Sequence, residues 1–408
     1  MSDRRNDILY IDLNSCFATI EQQCRPMLRG RPVAITNRLV KNSCIIAASY
    51  EAKALGIKVG MRTREAETLC PNLIYAETEP SKYIFVHEKL RHIMADYSPA
   101  VVMKSIDEGV IDLTQAPASV YTRNRFELGR EIKQRLKNEI GCYMRCNVGI
   151  ASNRFLAKLA GELHKPDGLD EITAKNQREI FSQLKLTDLP GINVRMEARL
   201  NAVGIFTPLQ FLDADEDTLV KLVCKSIDGH KWYLRLRGIE VDSATSDIKT
   251  IGRQYVMDGR HSRPETEARL MHLAEDVGYR LRSKNLYARG VYVWTFGYND
   301  RHEHHQTILR EAINSDADIM RVVRQLFVGL PGTVRLIGVT LYKLQPTADA
   351  QLCLEQDKKD RTAAICAATD KINLRFGARK VHCADTLGTE QVRCKIPFGS
   401  TRYLDHSL

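Results

Sequence analysis

Short apolar runs and amphipathic stretches alternate along this chain, and their periods read as strands interleaved with helices. Ile8 to Ile11 is an apolar strand ending on Asp12, followed by Asn14, a residue type that caps helices, and a helical stretch to about Cys24. Pro26, Gly30 and Pro32 break the pattern, and the segment to about Asn72 reads as a small insertion with a helix signal around Tyr50 to Ala54. A helix is expected from Lys82 to about Tyr97. Strands over Val101 to Lys104 and Val110 to Leu113 then flank Ser105-Ile106-Asp107-Glu108-Gly109, where Gly109 would allow a bend. A long amphipathic helix to about Asn138, a buried strand from Tyr143 to Ile150 and a helix from Asn153 to His164 follow, closed by Lys165-Pro166-Asp167-Gly168. Strands alternating with helices give an α/β layer.

Beyond Gly168 the pattern turns helical and polar. Leu189-Pro190-Gly191-Ile192-Asn193 turns between helices, and Val203-Gly204-Ile205 closes the second of them. Asp242 to Lys249, nearly free of large apolar residues, reads as a linker. From Ile251 to Leu344 two strand-rich runs, Val291 to Phe296 and Val334 to Leu341, accompany two helices in a β-α-β-type pattern. There is no fixed-period repeat and no low-complexity tract.

The 408 residues suffice for several domains, each with its own core. A net charge of +10 points to a polyanionic partner such as nucleic acid. Segment 251–344 holds 14 Lys and Arg against 10 Asp and Glu, so much of the excess sits there. Neither a signal peptide nor a run of apolar residues long enough for a membrane span is present, so a cytoplasmic location and no membrane partner are expected. The 11 cysteines lie scattered in apolar surroundings without a CxxC pair, which argues for reduced core thiols and against a zinc site.

Metal-assisted phosphoryl transfer needs carboxylates on rigid elements that hold two cations about 4 Å apart. Asp12 and the Asp107-Glu108 pair meet that demand if a bend lets adjacent residues share one face. Read singly, each acid is more often a solvated cap or loop group. Tyr50 and Lys53, one helical turn apart, and Lys165 in its Pro-Gly turn could offer a hydroxyl and two ammonium groups to a triphosphate. Phe17, on the first turn after Asp12, could wall a sugar site against a 2′-hydroxyl, and on spacing alone is equally a core aromatic.

The segments Ile11 to Ala18, Ser49 to Gly56, Ser105 to Gly109 and Val148 to Asn153, with Lys165-Pro166-Asp167-Gly168, resemble the Y-family translesion DNA polymerases in order and spacing. The resemblance covers nearly the whole chain and implies a multidomain α/β and α+β right hand. The palm would be 1–25 and 77–168, small fingers 26–76, a helical thumb with helix-hairpin-helix turns 169–241, a linker 242–250, a little finger 251–344 and a C-terminal extension 345–408. It implies low-fidelity synthesis from dNTPs on primer-template DNA, in the SOS response to DNA damage, with two Mg2+ ions for which Mn2+ may stand in. Asp12 and Asp107 would bridge both metals, Glu108 would bind the catalytic one and the Leu13 carbonyl the nucleotide-side one. Tyr50, Lys53 and Lys165 would hold the triphosphate, with Phe17 as steric gate. Gly191, Ile192, Asn193, Gly204 and Arg253 would contact DNA, and Gln351, Leu352 and Leu354 resemble a sliding-clamp peptide.

Branch signals are mixed. Asn14 and Glu51 to Gly56 look like the polymerase V catalytic subunit (UmuC-like), whereas Phe17, Tyr50 and Lys165 to Gly168 look like the DinB/polymerase IV branch, which usually carries Asp at position 14 and Arg at 53. Ala47, where many relatives have a hydroxyl, and Cys16, where an aromatic is common, depart from the pattern. Alternatives are a catalytically silent DNA-binding relative that recruits other repair factors, and an enzyme dependent on an accessory dimer and a RecA-type filament. The first typically lacks the acids present here.

Overall fold

The structure, a computed structural model, describes residues 6–242, 248–257, 259–346 and 356–389, with side chains of the last segment described from 361. The chain divides at Thr245–Ser246 into two compact units. Of the expected linker, residues 243–247 lie outside the described residues, as do Gln351, Leu352 and Leu354. The fold is α/β and multidomain.

The first unit is built on β1 (Ile8–Leu13), followed by α1 (Cys16–Cys24). A small sheet comes next, formed by β2 (Val33–Thr36) and β3 (Ile45–Ala48), the helices α2 (Tyr50–Ala54) and α3 (Thr63–Leu69), and β4 (Ile74–Glu77), in strand order β3-β2-β4. Then follow α4 (Pro80–Ala95), β5 (Val101–Met103), β6 (Glu108–Asp112), α5 (Ala118–Tyr121), α6 (Arg125–Glu139), β7 (Cys146–Ala151), α7 (Arg154–Leu163) and β8 (Leu169–Ile172). The main sheet runs β5-β6-β1-β7-β8, with only the β7–β8 pair parallel.

Strand β1 is central and covered on both faces, which is why it reads as an unbroken apolar run. Leu9, Ile11 and Leu13 point into a core with Leu90 and Ile93 of α4 and Leu128 and Ile132 of α6. Ile8 and Tyr10 point the other way, against Phe155, Leu156 and Leu159 of α7. Two glycines let α7 lie close to the sheet. A Cβ on Gly149 of β7 would stand 2.0 Å from the Ala157 carbonyl oxygen and 2.3 Å from the Gly161 nitrogen.

Four short helices extend this second core, α8 (Gln177–Ser182), α9 (Val194–Asn201), α10 (Pro208–Asp213) and α11 (Asp228–Leu236). Asn193 caps α9 by accepting from the Arg195 and Met196 amides. Gly191 and Gly204 turn the chain at φ +89° and +82°.

The second unit comprises β9 (Thr250–Val256), α12 (Arg263–Arg282), β10 (Leu286–Phe296), β11 (His302–Ile313), α13 (Asp316–Phe327), β12 (Leu336–Pro346) and α14 (Gln356–Phe376). Its sheet is antiparallel in order β11-β10-β12-β9, and apolar residues of α12 and α13 share its core. Two strands thus join the pair read from sequence. Strand β11 escaped because its first half, His302 to Gln306, is exposed and polar, with no apolar alternation to mark it. Arg282 joins three helices, pairing with Asp316 of α13 and Asp370 of α14 at 2.8 and 2.7 Å. No helix among the described residues is long and apolar enough to cross a membrane, and every described cysteine is a free thiol.

Candidate active site

The acids gather where β1 and β6 end together. Their antiparallel register sets Asp12 directly against Glu108, and the Leu13 amide donates to the Asp107 carbonyl at 2.9 Å. Gly109 does not make the bend expected of it. It lies within β6, where a Cβ would stand 2.8 Å from an atom of the Met94 side chain and of the Met103 side chain, both of which would have to shift. The chain bends instead over Ser105 to Asp107, before the strand starts.

Each carboxylate has one oxygen engaged by the protein. Lys165 Nζ stands 2.5 Å from Asp12 Oδ2, the Ser105 hydroxyl donates to Asp107 Oδ1 at 2.5 Å, and Lys158 Nζ and the Tyr10 hydroxyl both donate to Glu108 Oε2. Among the described residues no three acids, histidines or cysteines close into a metal cage. Glu108 is bonded toward α7 and Asp12 toward Lys165.

Burial pushes the Asp12 carboxyl up to about 6 against the pull of Lys165, with Asp107 adding to the rise. Burial likewise raises Asp107, and Glu108 adds to it. A half-buried, mutually repelling acid cluster with a free oxygen on each member fits divalent cations, which would satisfy it where two lysines and two hydroxyls now do so in part. Burial, then Glu108, drives the Tyr10 phenol far upward, so it remains a proton donor.

Of the remaining expected residues, Tyr50 and Lys53 both feel the charges of Lys165 and Asp12, so these three stand near the acids. Lys165 also pairs with Glu162 at 2.8 Å. Tyr50 and Lys53 share α2, the ammonium 4.8 Å from the Tyr50 ring centroid. Burial lowers the Lys53 pKa, with Lys165 nearby adding to the effect. Phe17 is 6% exposed and stacked on Tyr83 with ring centroids 4.3 Å apart.

Three expectations change. Asn14 does not cap α1; Ser15 stands at that position without a side-chain capping bond. Asn14 is buried, donates to Asn147 Oδ1 at 2.8 Å and accepts from the Asp167 amide at 2.8 Å, tying the end of β1 to the turn that carries Lys165. Arg253 is turned from the open face of its sheet: its pairing with inward Val339 aims it at α12, where it faces Asp276 at 3.3 Å. Ile192 is buried in the core of its turn, so only the backbone there is available to a ligand, with the Asn193 side chain committed to its cap.

Sequence reasoning missed Tyr10 and Lys158. Tyr10 hides in an apolar run, but a lysine inside Arg154-Phe155-Leu156-Ala157-Lys158-Leu159-Ala160, where the neighbours are all buried, was a readable signal.

Residues 11–162 match the impB/mucB/samB family and residues 248–354 its C-terminal domain. DNA polymerase IV of Moorella thermoacetica is 33% identical, the match covering 93% of this chain and 96% of that protein. DNA polymerase IV 1 of Bacillus subtilis is 28% identical over 97% of this chain and 96% of that one. Among solved structures, a Y-family DNA polymerase chimera of Dbh and Dpo4 has a TM-score of 0.70 at 22% identity, covering 83% of this chain and 99% of its own. An insertion ternary complex of Dbh DNA polymerase has a TM-score of 0.59 at 22% identity, with the same coverage. Opposed acids on two central strands, the order of the motifs and these full-length likenesses converge: the chain belongs to the Y family of translesion DNA polymerases and is a DNA-directed DNA polymerase.

Proposed function

We propose that this chain extends a primer by two-metal nucleotidyl transfer at the end of β1 and β6, with low fidelity. The observation that carries the reading is the β1–β6 register, which opposes Asp12 and Glu108 beside Asp107. When bound, two Mg2+ ions, or Mn2+, would activate the primer 3′-hydroxyl and neutralise the leaving diphosphate. Asp12 and Asp107 would hold both ions, Glu108 the catalytic one, and the Leu13 carbonyl the nucleotide-side one.

Lys165 and Lys53 supply cationic donors to a triphosphate and Tyr50 a hydroxyl. Ser15, whose side chain lies against the Tyr50 hydroxyl at the start of α1, is a further donor suited to a phosphate. Phe17, fixed by its stack on Tyr83, would bar a 2′-hydroxyl. The segment carrying Tyr50 and Lys53 is a sheet of three four-residue strands with two short helices. So small a fingers domain tests little of the shape of a base pair, so distorted templates pass and discrimination stays near that of pairing itself. The backbone at Gly191 and Gly204 would hold DNA phosphates, and the positive second unit would grip the duplex in a salt-dependent way. A sliding clamp would dock at Gln351, Leu352 and Leu354, and clamp-stimulated extension tests this.

Asp107→Ala should abolish primer extension in Mg2+ on damaged and undamaged templates while DNA binding, followed by fluorescence anisotropy, stays near that of the parent chain. Extension that survives this change overturns the reading. Repeating the assay with a RecA-type filament and an accessory dimer separates a partner-dependent enzyme from one active alone.

A further inference from the structure

Glu108 differs from its two companions in what holds it. Tyr10, two residues before Asp12 on β1, and Lys158, on α7, reach the same oxygen, Oε2, at 2.5 and 2.9 Å. They also touch each other, the ammonium lying 3.0 Å from the phenol oxygen and 5.2 Å from the ring centroid. Oε1 makes no such bond among the described residues. Tyr10 is 4% exposed, so its hydroxyl has little freedom to turn elsewhere. Lys158 is delivered by the fold: the contact of Gly149 with Ala157 and Gly161 presses this stretch of α7 onto the sheet.

We propose that Tyr10 and Lys158 are positioning residues that pin Oε2 of Glu108 and leave Oε1 for the catalytic cation, the phenol orienting the carboxylate and the ammonium weakening its hold. The inference rests on the reading of Glu108 as a ligand of that cation. The two partners act with opposite sign. A neutral donor orients a ligand without repelling what it binds, and losing such a partner costs metal affinity. A positive charge on one carboxylate oxygen repels a dication on the other, so losing it raises affinity. Such an arrangement keeps the catalytic cation loosely held until the negative charge of a triphosphate arrives, tying its occupancy to that of the nucleotide.

The test is Mn2+ binding to the full chain with primer-template DNA, followed by electron paramagnetic resonance, for the parent, Tyr10→Phe, Lys158→Met and Glu108→Gln. Tyr10→Phe should weaken binding about tenfold, and Lys158→Met should tighten it. Both shifts should vanish in the Glu108→Gln background. Shifts of the same sign, no shift, or shifts that persist without the Glu108 carboxylate overturn the proposal. If Glu108→Gln weakens binding while the other two variants match the parent, this inference fails and the assignment of Glu108 stands. If Glu108→Gln leaves binding unchanged, both fall together. Thermal melting without metal checks each variant's fold, and Lys158→Gln replaces Lys158→Met if the latter does not fold.

Discussion

Replacing Asp12 by Asn should make the metal-free protein more stable at neutral pH while destroying catalysis. Its carboxyl stands at about 6 in place of 3.8, even after the attraction of Lys165, and its side chain is 16% exposed. At about 1.4 kcal/mol per pH unit, holding Asp12 ionised in the fold at pH 7.5 costs on the order of 3 kcal/mol. The folded carboxyl keeps its proton to higher pH than the unfolded one. The cost is therefore full above about pH 6 and fades as pH falls through that value toward 3.8. Asn removes the charge at nearly constant volume. For a unit of this size, about 3 kcal/mol corresponds to roughly 6–12 °C in melting temperature. Differential scanning fluorimetry in EDTA at pH 7.5 and 5 reads it directly. The reasoning fails if Asp12→Asn melts at or below the parent at pH 7.5, or if its advantage does not shrink at pH 5.

Other outcomes follow from single contacts. Gly149→Ala should cost about 3 kcal/mol in urea denaturation, because its Cβ meets backbone of α7 and cannot be relieved by a side-chain rotation. Arg282→Met should destabilise the second unit by about 3 kcal/mol, leaving Asp316 and Asp370 facing each other without their shared cation, and should speed proteolysis near α14. Phe17→Val should raise ribonucleotide incorporation by about 10–100-fold in single-nucleotide assays without comparable loss of dNTP insertion.

What the sequence revealed depended on whether a residue's neighbours in space were also its neighbours in the chain. β1 was legible because burial on both faces leaves an apolar run, and α7 because the Asn153 cap and the Lys165-Pro166-Asp167-Gly168 turn bracket it. β11 was not, since it lies exposed at the sheet edge and its apolar partners lie on other strands. The acids could be named from their strand ends, but their pairing with Lys158, Tyr10 and Ser105 depends on the approach of α7 and on a bend that no local rule marks. The aim of the Arg253 side chain was hidden for the same reason: a basic residue on a strand has two faces to choose from, and Asp276, which it faces, sits on a helix more than twenty residues away.

Asn14 looked at first like a mark of ancestry. Its amide gives a proton to Asn147 on one side and takes one from Asp167 on the other, while Asn147 spends its own amide on the His164 carbonyl at 3.1 Å. The aspartate usual in the polymerase IV branch could still accept from Asp167 but has nothing to give Asn147, which would have to turn round and abandon His164. Positions 14 and 147 are therefore expected to change in concert, and a lineage crossing between branches one substitution at a time would pass through a weakened intermediate.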